Sequence, residues 1–273
     1  MLRAARGDRR RGRALAVVGV VGELFLTAGV MVFLFIGWQL WFNELVVGGQ
    51  QRDSALELSE SWATAAPVAS DEPADEPSDE VDDDEVEDGD ADAASPVDFG
   101  APVSTISTKE GKGFATLYVP RFGADYVRAI GEGVDLGSVL NNSKLGVGHY
   151  EETQLPGQVG NFALAAHRTT WGRPFNQVAE LQLGDKIYVQ TADGWYVYAF
   201  RTLEYVRPTG VDVLAPVPQA PGVDPQDSII TLTSCNPMFS AAERIIASGV
   251  LESWQPASAG MPSELAELQG KDA

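Results

Sequence analysis

The sequence predicts a mainly β fold, a closed or nearly closed barrel of about eight strands with short helices, preceded by one transmembrane helix. Three observations carry this expectation. From about residue 103 the chain is built of short apolar runs separated by Gly, Pro, Asn and Asp, the texture of strands joined by turns. The stretch DKIYVQTADGWYVYAFRTLEYV, residues 185–206, alternates apolar and polar residues on both sides of Asp193-Gly194, a hairpin signal. Near the N-terminus an apolar run from Ala14 to Ile36 carries a single charge, Glu23.

That run would span roughly 33 Å at ~1.5 Å rise per residue, about the hydrocarbon thickness of a bilayer. It is too long for a signal-peptide core. It ends in GWQLWFNEL, whose Trp38, Trp41 and Phe42 read as an interfacial aromatic belt. Six arginines between Arg3 and Arg13 precede it. Arginines before a span keep that end in the cytoplasm. The expected order is a basic cytoplasmic segment (1–13), a membrane helix (14–42), and a remainder outside the cell in which the anchor is retained. Glu23 would cost on the order of 3 kcal/mol at the bilayer centre, which favours a position nearer the cytoplasmic end or a partner helix.

Residues 43–102 are expected to form an extracellular acidic, disordered linker. Its first third, NELVVGGQQRDSALELSESWA, has Leu and Val spacing interrupted by two adjacent glycines and extends the helix a few turns beyond the membrane. The rest holds fifteen of the 39 acidic residues between Asp71 and Asp98. Low hydrophobicity and like charge leave it unable to build a core. It reads as a solvated spacer.

The folded part is assigned to 103–256, followed by a frayed tail at 257–273. Strands are expected at 114–119, 161–167, on both arms of the 185–206 hairpin, at 227–235 and at 244–253. Short helical turns are expected at 135–140 and 174–181. From Gly100 onward the chain has 12 basic and 18 acidic residues. An acidic domain without a basic stripe repels a phosphate backbone, so nucleic acid is not an expected partner.

Cys235 is the only cysteine. Alone, it suits either a buried inert role or a reactive one. Its place at the end of DSIITLTSC puts it at a strand terminus, and the following NPMFSAAE makes a loop to the next strand. Such a hairpin sets Arg244 beside it across the ladder. A thiol nucleophile needs a proton acceptor and donors for the oxyanion it creates. Of the two histidines, His167 closes the run NFALAAH and so shares a strand-end rim with Cys235. His149, in GVGHYEE, is expected in a turn or at the surface. One Cys and two His lack metal-site spacing. No metal or cofactor is expected.

TLTSC followed nine residues later by Arg244, with AAHRTTWG upstream, resembles the sortase family of membrane-anchored cysteine transpeptidases. The longer stretches VPRFG, GVGHYEETQLPGQVGNFALAAHRTTWGRPFNQVAELQLGD and TLTSCNPMFSAAERIIASGVL resemble class E sortases of actinobacteria, over roughly residues 113–254. One departure is Asn236, where many members have histidine. The resemblance implies that Cys235 is the nucleophile, His167 the general acid–base and Arg244 the group that positions substrate and stabilises the oxyanion. It implies cleavage of the Thr–Gly bond in an LAxTG- or LPxTG-like sorting signal. The implied partners are secreted proteins carrying that signal and a cell-wall precursor amine or a pilin lysine. Two rivals stand beside it. An L,D-transpeptidase carries Arg two residues after Cys, against nine here. A membrane-tethered binding module would use Cys235 only as packing.

Overall fold

The computed structural model describes residues 4–38, 43–65 and 98–271. Most of the acidic run, residues 66–97, lies outside the described residues. Helix α1 (Ala4–Gly37) contains the stretch Ala16–Gly37, which has mean hydropathy 2.2 and is long and apolar enough to cross a membrane. Helix α2 spans Asn43–Ala65.

Eight strands follow: β1 (Gly113–Tyr118), β2 (Val127–Glu132), β3 (Val147–His149), β4 (Gly160–Ala166), β5 (Lys186–Gln190), β6 (Gly194–Val206), β7 (Ser228–Asn236) and β8 (Glu243–Pro256). They close into a barrel in the order β1-β2-β3-β4-β7-β8-β6-β5. Closure leaves no sheet edge unpaired. Pairing is antiparallel except between β2 and β3 and between β4 and β7.

Period-two alternation sorts the side chains. In β4 and β7, Phe162, Leu164, Ile230 and Leu232 point inward and are almost wholly buried in the main core. Each such side chain contributes about 1.5–3 kcal/mol by leaving water. Thr231, Thr233 and Cys235 alternate to the outer face. A second apolar cluster lies on the outer side of β1, β2, β5 and β6, built from Tyr118, Ala129, Tyr188, Trp195 and Val197 together with Ala55 of α2 and Leu265.

That cluster corrects two expectations. The segment 43–65 is helix seated against the barrel rather than linker, with Val47, Gln51 and Ala55 buried and Ser59 donating to Gln190 Oε1 at 2.6 Å. The C-terminal stretch is likewise not frayed. Helix α3 (Ser263–Lys271) buries Leu265, and Tyr188 donates to Glu264 at 3.3 Å. Residues 98–102 are also held, as Trp254 Nε1 donates to the Gly100 carbonyl at 2.8 Å.

The β5–β6 hairpin stands where the alternation places it, but its turn lies one residue earlier than Asp-Gly, on Ala192 and Asp193. Gln190 pairs with Trp195, Thr191 N donates to the Gly194 carbonyl, and Gly194 already belongs to β6. Strands β2 and β3 carried no expectation. The turn at Leu136–Leu140 is capped by Asp135, whose Oδ1 accepts from Gly137 N at 2.9 Å and Ser138 N at 2.8 Å. Those bonds, the Ser138 amide foremost, hold the Asp135 carboxyl below the usual carboxylate range.

Candidate active site

Two pairings meet at the end of β7. In the antiparallel ladder with β8, Cys235 stands directly opposite Arg244. In the parallel ladder with β4, Ala165 pairs with Thr233. Continuing that register by two residues brings His167 alongside Cys235. All three share the outer face, because their neighbours Ala166 and Ile245 belong to the interior cluster. The register therefore sets positions 167 and 244 on either side of position 235, on one face of the barrel.

Cys235 is half-buried and in no disulfide. His167 is also half-buried. Its Nε2 lies 2.8 Å from Asn141 Oδ1, and its carbonyl accepts from Phe175 N at 3.1 Å. Asn141 ends the capped turn at 136–140, so the imidazole rests on a rigid support. Ser234 Oγ, turned inward, donates to the Ala166 carbonyl at 2.7 Å and ties the two strand ends together. Arg244 Nη1 donates to the carbonyls of Ala241 (3.1 Å) and Glu243 (3.0 Å), which fixes the guanidinium against its own loop. That loop carries exposed Met238 and Phe239.

Sequence reasoning missed Arg168. It is buried, and its Nη1 donates to Asn236 Oδ1 and to the Cys235 carbonyl at 3.4 Å. Asn236 Nδ2 in turn donates to Glu243 Oε2 at 2.8 Å. Arg168, Asn236 and Glu243 thus form a polar chain that is tied to the Cys235 carbonyl. At position 236 an amide serves this chain by accepting on one atom and donating from the other. The available signal was adjacency, since Arg168 directly follows His167 in AAHRTTWG.

His149 is not a turn or surface residue. It ends β3, is 1% exposed, and sits inside the barrel with Nδ1 at 3.0–3.1 Å from both Glu132 oxygens. Its Nε2 contacts the Gln154 carbonyl at 3.1 Å and Thr153 Oγ1 at 3.0 Å. The parallel register sets Glu132 beside it. A buried polar ring needs such partners. His149 and His167 therefore lie on opposite faces of the barrel wall, and the Cys/His/His trio does not assemble. No group of three or more metal-ligating side chains occurs among the described residues.

A half-buried thiol at a strand end, with a histidine and an arginine at the flanking register positions, suits nucleophilic acyl transfer. Comparison with known proteins agrees with that chemistry. A family model of the sortase domain matches residues 117–252. Sortase SrtE1 of Streptomyces coelicolor is 33% identical over 94% of this chain, which spans 63% of its length. Sortase SrtE2 of the same organism is 32% identical over 90% of this chain and 87% of its own length. Among solved structures, the sortase SrtA from Actinomyces oris is similar with TM-score 0.56 and 37% identity, covering 60% of this chain and 93% of that one. Sortase E1 from Streptomyces coelicolor, solved with a tripeptide in its active site, gives TM-score 0.53 and 38% identity, covering 58% of this chain and 99% of that one. The chain belongs to the sortase family, in its class E branch.

Proposed function

We propose that the protein is a membrane-anchored cysteine transpeptidase that cleaves the Thr–Gly bond of an LAxTG- or LPxTG-like C-terminal sorting signal and joins the protein to a cell-wall amine. The observation that carries the reading is the register that flanks Cys235 with His167 and Arg244 on one outer face. The tripeptide held in the active site of sortase E1 from Streptomyces coelicolor supports a peptide substrate.

The thiolate sulfur of Cys235 attacks the threonine carbonyl carbon, and the developing oxyanion is stabilised by Arg244, a permanently charged donor. The C–N bond breaks as His167 gives its proton to the leaving glycine amine. A thioester remains. An incoming amine, from a wall precursor or a pilin lysine, loses its proton to His167, attacks the thioester carbon and expels the thiolate. No cofactor enters this scheme. Arg168 and Asn236 hold the Cys235 backbone and leave the bonds that change to the triad.

Purified full-length chain is expected to cleave an LAxTG peptide and to transfer the acyl part to an added amine. His167→Ala should lower kcat/KM by roughly 10²–10⁴-fold, the usual worth of a positioned acid–base. Arg244→Ala should lower it by about 10²–10³-fold, as for the loss of an oxyanion donor. Wild-type rates from both variants overturn the assignment.

The anchor reading rests on the Ala16–Gly37 stretch of α1 and the six arginines before it. Protease added to intact protoplasts is expected to digest the barrel and spare an N-terminal tag. Protection of the barrel with digestion of the tag reverses the orientation.

A further inference from the structure

Helix α2 does more than connect the apolar helix to the barrel. Gln51, near its middle, has no exposed surface. Its Nε2 donates to two carbonyls at 3.0 Å each, those of Asn142 and Trp171. These lie 91 and 120 residues further along the chain. Both border the candidate site. Asn142 follows Asn141, whose Oδ1 meets His167 Nε2. Trp171 lies four residues past His167 in the same loop.

The seat of this amide is shaped for it. Gly146 and Gly172 both have positive φ, +85° and +79°, and a Cβ at either would collide with the Gln51 side-chain amide. Gln51 Oε1 is buried without a hydrogen-bond partner, so the amide's hold on the barrel is through its donated bonds. A buried amide with an orphaned oxygen is unfavourable. Apolar packing alone would have been served by leucine or methionine. The rest of α2 is anchored independently, through Ala55 and Leu58 in the outer apolar cluster and through Ser59 on Gln190.

We propose that Gln51 is a positioning residue for His167. By bridging the two loops, it fixes where Asn141 stands relative to the strand end that carries His167. It thereby fixes the direction in which the imidazole faces Cys235. The catalytic geometry is thus completed by the helix that follows the apolar segment. This inference rests on the reading of His167 as the acid–base. It adds a residue that the triad does not contain.

The test uses the full-length chain and the variant Gln51→Met, which keeps side-chain volume and removes the donor. kcat for the sorting peptide is expected to fall about tenfold with KM nearly unchanged, as small misplacements of a catalytic group do. The chain has two histidines, so an imidazole NMR spectrum resolves both. The His167 signals should shift while those of His149, inside the barrel, stay in place. Asn141→Ala should reproduce the loss without touching α2. The double variant should be no slower than Asn141→Ala alone, because coupled sites on one route are not additive.

Wild-type kcat in Gln51→Met overturns the inference. So does a loss that follows only the folded fraction with both histidines shifting, or one that multiplies with that of Asn141→Ala. If His167→Ala is inactive while Gln51→Met is wild type, only the positioning role fails. If His167→Ala is fully active, the acid–base reading fails and takes this role with it.

Discussion

Replacing Cys235 with alanine is expected to abolish both cleavage and transfer, by at least about 10³-fold, while leaving the fold intact. The two halves of this expectation have separate causes. Without the thiolate no thioester forms, and the acid–base and the cation have no nucleophile to serve. Members of such a unit are not additive, so the residual rate should resemble that of a variant lacking the whole triad. The fold should survive because the side chain sits on the outer face at the end of β7, beyond the core packed by Ile230 and Leu232. An unchanged Tm together with lost turnover separates chemistry from stability. Mass spectrometry of the wild type with peptide and no amine should find an acyl adduct on Cys235. Labelling by a methanethiosulfonate reagent should proceed in the native state, since a reactive cysteine is accessible. A binding module with an inert thiol predicts the reverse on every count.

Alkali should unfold the domain cooperatively over about pH 10 to 12, the window set by the reference tyrosine pKa and the raised values inside the fold. Five of the seven tyrosines, Tyr118, Tyr126, Tyr188, Tyr196 and Tyr198, are buried. Burial raises the pKa of each, that of Tyr196 to about 12. At Tyr188 the Glu264 carboxylate raises it further. Folded values above the unfolded one mean that the stabilisation is fully present below about pH 10 and is lost as pH rises through the folded values. Denaturant midpoints should therefore be flat on the neutral side and fall steeply above that point. Phenolate absorbance from the five buried tyrosines should appear with unfolding, and more than two of the seven titrating ahead of unfolding would contradict the burial. Tyr196→Phe should move the alkaline midpoint upward. It also loses the bond that Tyr196 donates to the Val103 carbonyl, at a cost of about 1 kcal/mol at neutral pH.

The legible parts of the molecule were those with a local period or a local spacing. β7 and β8 announced themselves by β-branched alternation, and a step of nine positions from Cys235 to Arg244 sufficed to set them across a ladder. His167 was found because it closes an apolar run. What escaped depends on distant partners. β3 is three residues long and contains Gly148, too little for a pattern. His149 looked exposed because Glu132, which satisfies it, lies 17 residues upstream on a parallel neighbour. Arg168 is a buried charge whose acceptors sit at positions 235 and 236. The seating of α2 was hidden because its contact face includes Gln51 and Gly48, one polar and one without a side chain, where an amphipathic helix would show leucine.

The parallel pairing of β4 with β7 has a consequence for the life of the chain. The bond between Ser234 and Ala166 joins residues 68 positions apart, and closing so long a loop is entropically unfavourable until many contacts form together. Cys235 meets His167 only once that crossover has closed. A chain in which that crossover is still open carries the thiol without its neighbours. The site is thus a property of the finished barrel alone, absent from any shorter or partly folded length of the chain.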